Sequence, residues 1–307
     1  MSKVFDILII GGGVAGMTAA IYGLRAKKSV AIIEAGAVGG QILATGRIEN
    51  YPGMAGVSGR ELVEKLKEQV INLGGEFIDD RAEGIRGARK DVKTVVLSDG
   101  EAKGRTVIIA NGSTERKLGV AREEELLGRG VSYCATCDGA FYRGKKVAVN
   151  GGGNSAVYSA LYLSEIAEKV YLVHRRAEFR AEKGLMERVR ETKNIEIVAP
   201  GEVVGLVGEE QVERIRVKTG AEVREIEVEG VFVAIGREAK NEAFLSVVEL
   251  DKDGYIKAGE DCKTSTPGIF CAGDTRAKSV RQLVTATADG AVAATGAVEY
   301  LNLLETR

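Results

Sequence analysis

The chain opens on an apolar run, Val4-Phe-Asp-Ile-Leu-Ile-Ile10, broken only by Asp6 and closed by Gly11-Gly12-Gly13. A run this continuous predicts a strand covered on both faces, as in a parallel sheet. The residues that follow, from Val14 to Leu24, are helix-compatible. The same order returns at residues 145–156, KKVAVNGGGNSA: an apolar run, three glycines and a helix-compatible segment. From Gly11 to Gly151 the offset is 140 residues. The closing strands repeat as well, since Val107-Ile-Ile-Ala-Asn-Gly112 matches Val231-Phe-Val-Ala-Ile-Gly236. A third apolar strand, Gly268-Ile-Phe-Cys-Ala-Gly-Asp274, lies near the C-terminus.

This duplication predicts an α/β fold with two Rossmann-like dinucleotide-binding domains, each a parallel sheet with crossover helices. The second unit already has a closing strand, so the strand at 268–274 is expected to return to the first. The second domain is therefore read as inserted into the first: 1–113 with 241–307, and 114–240. Connectors are expected around 112–117 and 237–243.

Gly11, Gly13 and Gly16 form GxGxxG directly after a strand. Glycine allows the tight turn, close approach of a pyrophosphate and close helix packing, while the helix N-terminus offers free N–H groups. The next strand, Val30–Ile33, ends in Glu34. A carboxylate there suits a ribose diol and repels a 2′-phosphate, which predicts FAD or NAD. Gly151, Gly153 and Ala156 repeat the turn, but the following strand ends in His174, Arg175 and Arg176, with Arg180 shortly after. Guanidinium forks bind phosphate in bidentate fashion, so this site is predicted to take NADPH.

Composition narrows the rest. With 43 basic against 44 acidic residues, the net charge of -1 gives no electrostatic case for nucleic acid or an anionic membrane. Asp6 and the three glycines make the N-terminal apolar stretch a strand and turn rather than a membrane span or signal, and the protein is expected to be cytoplasmic. Four cysteines occur, and only Cys134 and Cys137 are close together. A single CxxC without a second pair or nearby histidines is poor zinc geometry, and no metal is expected. Two residues between cysteines instead allow a redox-active disulfide, placed at a helix N-terminus whose dipole favours thiolate. Asp138, next in sequence, is positioned to carry a proton. Cys262 and Cys271 read as small apolar residues in or near strands. His174 is the only histidine, which leaves little room for Ser-His or Cys-His catalysis elsewhere.

Nearly end to end, the chain resembles the low-molecular-weight thioredoxin reductases, within the class II pyridine nucleotide-disulfide oxidoreductases. The motifs are GGGVAG (11–16), GGQ (39–41), ENYPG (49–53), GRGVSYCATCDG (128–139), GGGNSAV (151–157), HRRAEFRAE (174–182), GIFCAGD (268–274) and RQLVTATADG (281–290). The resemblance implies a homodimer with FAD, an inserted NADPH domain that rotates between two states, and thioredoxin as the substrate. It implies that Cys137 faces the flavin, Cys134 attacks the partner, and Asp138 is the acid–base residue. It also implies that Gly40, Gln41, Asn50, Asp274, Arg281 and Gln282 belong to the FAD site, and Asn154 and Ser155 to the NADPH site.

Four positions depart from the pattern. Tyr158 and Ser159 stand where the family carries two carboxylates near the expected nicotinamide; Asn111 and Val14 are milder changes. The first departure motivates an alternative: a related flavoprotein drawing electrons from ferredoxin, deazaflavin or NADH, or serving another small CxxC protein. A non-enzymatic flavoprotein would leave CATCDG unexplained. A peroxide-reducing flavin subunit would need an N-terminal extension, for which the start of this chain is expected to leave no room.

Overall fold

The computed structural model describes residues 3–306. The chain forms two compact units, one from Met1–Thr114 with Glu238–Arg307 and the other from Glu115–Arg237.

In the first unit, four strands lie parallel in the order Glu76–Asp79, Val30–Glu34, Val4–Ile10, Glu101–Ile109. Ile269–Cys271 adds to the far side of Glu101–Ile109, pairing Ile269 with Val107. The first half of that long strand instead pairs antiparallel with Lys93–Leu97, which pairs in turn with Ala82–Arg86.

Alternation along Val4–Ile10 assigns each side chain to one of two cores. Ile7 and Ile9 pack with Met17, Ile21, Leu24, Val63 and Ala293, contributed by helices Val14–Arg25, Gly59–Asn72 and Leu283–Glu305. Leu8 and Ile10 pack on the other face with Ile85, Val95, Leu97 and Phe244, and Phe5, at the start of the strand, departs from the alternation and joins this second group. Both faces are covered, which is why the strand reads as an unbroken apolar run.

Helix Leu283–Glu305 crosses Val14–Arg25 closely at Gly290. A Cβ there would lie 2.3 Å from the Ala15 carbonyl oxygen and 3.0 Å from Thr18 Cβ. Gly290→Ala must therefore push two buried helices apart. We expect a loss of about 1–3 kcal/mol, measured as a lower urea midpoint at unchanged slope; an unchanged midpoint would contradict this contact.

The second unit repeats the plan on a smaller scale. Its parallel sheet has the order Ile195–Val198, Lys169–Val173, Lys146–Asn150, Gly230–Val233, Val131–Ser132. Val147 and Val149 face helices Asn154–Ser164 and Lys183–Glu191, whereas Ala148 faces Ile215, Val217 and Ile226. The latter come from an antiparallel sheet of Glu202–Val207, Arg214–Thr219 and Glu222–Glu227, which takes the place of helices on that face. Its strands are polar on the outer side, where Arg214, Arg216 and Glu225 are linked by ion pairs. Glu115 and Arg237, the two chain ends of this unit, are ion-paired at 2.5 Å. No helix among the described residues is long and apolar enough to cross a membrane.

Candidate functional site

The first glycine turn leaves the carboxyl end of Val4–Ile10. Gly11 has φ of +109°, and a Cβ on Gly16 would fall 1.9 Å from the Gly11 carbonyl oxygen, so both positions exclude side chains. Helix Val14–Arg25 begins at Gly13 with no side-chain cap, which leaves its first N–H groups available to an anion. Glu34 lies beside this turn: Gly12 N–H donates to Oε2 at 2.7 Å and Gly36 N–H to Oε1 at 3.0 Å. Those bonds hold the carboxylate next to the anion-binding end of the helix.

The other predicted residues of this unit gather at the same end of the sheet. Gly39 N–H donates to Gly12 O at 2.8 Å, and Gly40 follows against Gly13. Gln41 Nε2 donates to Ser113 O. Asn50 Nδ2 donates to Gln282 Oε1 at 3.1 Å, joining the ENYPG loop to the start of helix Leu283–Glu305. Asp274 follows strand Ile269–Cys271, and Arg281 reaches back to its carbonyl oxygen at 3.5 Å while lying 3.9 Å over the Tyr255 ring. An uncapped helix end, an adjacent carboxylate and a polar rim match the parts of a dinucleotide, so the donor set fits a flavin nucleotide.

Sequence reasoning missed the support behind Asp274. Asp289 is buried and accepts from Gly273 N–H at 3.0 Å, from Arg276 Nη2 at 3.0 Å and from Lys278 Nζ at 3.0 Å. Lys278 Nζ lies 3.8 Å from Asp274 Oδ1. Cys262 and Cys271 are fully buried free thiols, and burial pushes the Cys262 thiol up to about 12, which leaves it inert at neutral pH.

In the second unit, a Cβ on Gly151 would lie 2.3 Å from the Ala234 carbonyl oxygen, whereas the Gly153 position is open. Helix Asn154–Ser164 starts there without a side-chain cap. The basic loop is tied to this turn, because Arg180 N–H donates to Gly152 O at 2.8 Å. Asn154 and Glu182 also exchange two hydrogen bonds of 2.9 Å, a clamp the sequence did not suggest. Arg175, Arg176 and Arg180 are exposed, as is Ser155. His174 is different. Its ring is buried against Gly152 and lies tilted at 4.9 Å from the Phe179 ring, and Nε2 has no hydrogen-bond partner among the described residues. Burial, reinforced by the nearby arginines, holds its pKa below the ordinary histidine value. The exposed cations are thus the three arginines, and His174 braces the turn from beneath. Tyr158 is 54 % exposed on the next turn of the helix.

Cys134 and Cys137 form a disulfide. The helix behind them, Ala135–Asp138, is a single turn, too short to supply the dipole expected from the sequence. A direct contact stands in for it, since Cys137 N–H donates to Cys134 Sγ at 3.2 Å. Asp138 Oδ2 accepts from Ser132 Oγ at 2.7 Å, and burial raises the carboxyl above its ordinary value against the effect of that bond. Tyr133, beside Cys134, donates to Glu123 at 2.6 Å, and Glu123 also accepts from Leu118 and Gly119 N–H. The described residues contain no cluster of metal-ligating side chains.

Comparison with known proteins gives a consistent picture. The family described as pyridine nucleotide-disulphide oxidoreductase matches residues 5–290. A thioredoxin reductase of Listeria innocua is 42% identical over 307 residues, covering 99% of this chain and 96% of the relative. The thioredoxin reductase of Bacillus subtilis is also 42% identical, over 309 residues, with 99% and 96% covered. The crystal structure of thioredoxin reductase from Streptococcus pyogenes superposes with a TM-score of 0.94 at 40% identity, covering 99% of this chain and 100% of that one.

Proposed function

Because the chain belongs to the pyridine nucleotide-disulphide oxidoreductase family, which works with a flavin and a pyridine nucleotide, we propose that it is a thioredoxin reductase using FAD and NADPH. The observation that carries this reading is the Cys134–Cys137 disulfide beside Asp138, in the unit that also bears the second glycine turn and its arginines.

FAD, when bound, supplies the two-electron carrier between the nicotinamide and the disulfide. Gly11, Gly13 and Gly16 with the end of helix Val14–Arg25 would hold its pyrophosphate, and Glu34 its adenosine ribose. Gly40, Gln41, Asn50, Asp274, Arg281 and Gln282 would flank the remainder. Gly151, Gly153, Asn154 and Ser155 would hold the pyrophosphate of NADPH, with Arg175, Arg176 and Arg180 on its 2′-phosphate and His174 behind the turn.

Two electrons and two protons open Cys134–Cys137 to a dithiol. The Cys134 thiolate attacks one sulfur of the partner disulfide, giving a mixed disulfide and releasing the partner's other thiol. Cys137 then attacks Cys134 Sγ, which restores the intramolecular disulfide and frees the reduced partner. Asp138 holds a proton during opening and takes one during closure. A second copy of the chain completes the proposed homodimer.

Tyr158 and Ser159 favour one further reading, in which another donor supplies the electrons. Anaerobic mixing of the FAD-loaded protein with NADPH or NADH separates the two. We expect NADPH to bleach the flavin absorbance fully and NADH to do so far more slowly. A flavin left oxidised by millimolar NADPH, but bleached by reduced ferredoxin or deazaflavin, would replace NADPH as donor.

A further inference from the structure

We infer that Ser132 is the positioning residue of Asp138, holding the carboxyl in both of its protonation states by turning one hydroxyl between two acceptors. The inference deepens the disulfide reductase reading and rests on it.

Ser132 is 3 % exposed, at the end of strand Val131–Ser132. Its Oγ lies 2.7 Å from Asp138 Oδ2 and 3.4 Å from the Cys134 carbonyl oxygen, and it accepts from Cys134 N–H at 3.1 Å. A hydroxyl has one proton to donate and two lone pairs to offer. With Asp138 ionised, the proton goes to Oδ2, and Cys134 N–H occupies one lone pair. With Asp138 protonated, the carboxylic acid becomes the donor and needs an acceptor. The second lone pair of Ser132 Oγ supplies it, and the hydroxyl proton turns to Cys134 O. Cys134 N–H stays bonded throughout. Each buried polar group therefore keeps a partner as the proton comes and goes, and the desolvation penalty of an orphaned group is avoided in either state. The backbone of Cys134 stays pinned while Asp138 changes charge.

The surroundings leave this hydroxyl without a competitor. Helix Asn154–Ser164 packs on the Ala135–Asp138 turn and carries no Asp, Glu, Lys or Arg; its titratable groups are Tyr158 and Tyr162. From residues 139–142, Tyr142 feels the charges of Asp138 and Glu229. Tyr133 directs its hydroxyl to Glu123. Among the described residues, burial and Ser132 are the two influences that move Asp138, and they act in opposite directions.

The test is the pH profile of NADPH-driven disulfide turnover by the FAD-loaded protein and its variants. Asp138→Asn defines the arm that belongs to Asp138 by abolishing it. Ser132→Ala removes a donor from the ionised carboxylate, so that arm should move to higher pH by about tenfold in proton concentration. Ser132→Thr, which keeps the hydroxyl, should retain the wild-type arm. An unmoved arm in a Ser132→Ala protein that binds flavin and melts like wild type overturns the inference. If that variant does not fold, Ser132→Gly carries the same expectation and the same refutation. A wild-type protein without turnover would remove the reductase reading instead, and an arm that survives Asp138→Asn would remove Asp138 and Ser132 together.

Discussion

Replacing Cys137 with serine should leave reduction of the flavin by NADPH intact and lower turnover of a thioredoxin disulfide on the order of 10³-fold or more. The two effects separate because the groups proposed to bind flavin and nicotinamide nucleotide contain neither cysteine. A serine hydroxyl cannot form the intramolecular disulfide that stores the electron pair. It also cannot expel Cys134 from a mixed disulfide, so Cys137→Ser should trap partner protein covalently on Cys134. Cys134→Ser should block turnover as fully but trap nothing, because no attacking thiolate remains at that position. Mass spectrometry of the intact protein after incubation with oxidised partner reads the adduct directly. Stopped-flow absorbance reads the flavin. Residual turnover above one per cent in Cys137→Ser would sink the proposed route. An adduct on Cys137 in Cys134→Ser would reverse the roles given to the two sulfurs.

The parts of this site that could be read from the sequence are those where backbone geometry restricts the residue type. Gly11 and Gly16 have no room for a Cβ, so the turn announces itself as glycine. The strands at 4–10 and 146–150 are covered on both sides and appear as apolar runs. Glu34 is found by counting along the chain from the turn, because a crossover of fixed length returns the next strand to the same edge. Contacts between common residue types at arbitrary separations leave no such mark. Ser132 meets Asp138 because a short strand ends where a one-turn helix begins, and a serine six positions earlier signals nothing by itself. Asp289, Arg276 and Lys278 form a buried ionic group only after helix Leu283–Glu305 docks beside strand Ile269–Cys271. The antiparallel sheet at 202–227 interleaves charged residues through its second and third strands, and its small apolar face is visible only once it covers Ala148. His174 shows the opposite difficulty. Adjacency in sequence groups it with the arginines, but the strand ends at Val173 and turns its ring inward beneath Gly152.

That distinction shapes the second large effect expected here, the choice of nucleotide. Arg175, Arg176 and Arg180 are exposed beside the second glycine turn, and none of them is held in an ion pair among the described residues. A 2′-phosphate can engage them without first breaking a salt bridge. The opposite holds at the first turn, where Glu34 is fixed by Gly12 and Gly36 N–H groups and would repel a phosphate. Each single Arg→Ala change should raise the KM for NADPH roughly tenfold, and the triple change roughly 10²–10³-fold, with less than full additivity because the three share one ligand. The KM for NADH, which lacks the phosphate, should stay within about threefold, and kcat at saturation should change little, since the lost contact is made equally before and during hydride transfer. The effect on NADPH should shrink with rising salt, because exposed charges are screened within about 10 Å at 0.1 M ionic strength. His174→Asn should behave unlike these. It removes a buried ring that props Gly152, so it should weaken NADPH and NADH alike and lower thermal stability. A NADPH-specific loss in His174→Asn, at unchanged melting temperature, would return His174 to the phosphate site. Equal losses for both nucleotides in the arginine variants would mean that the cluster organises the loop rather than reading the phosphate.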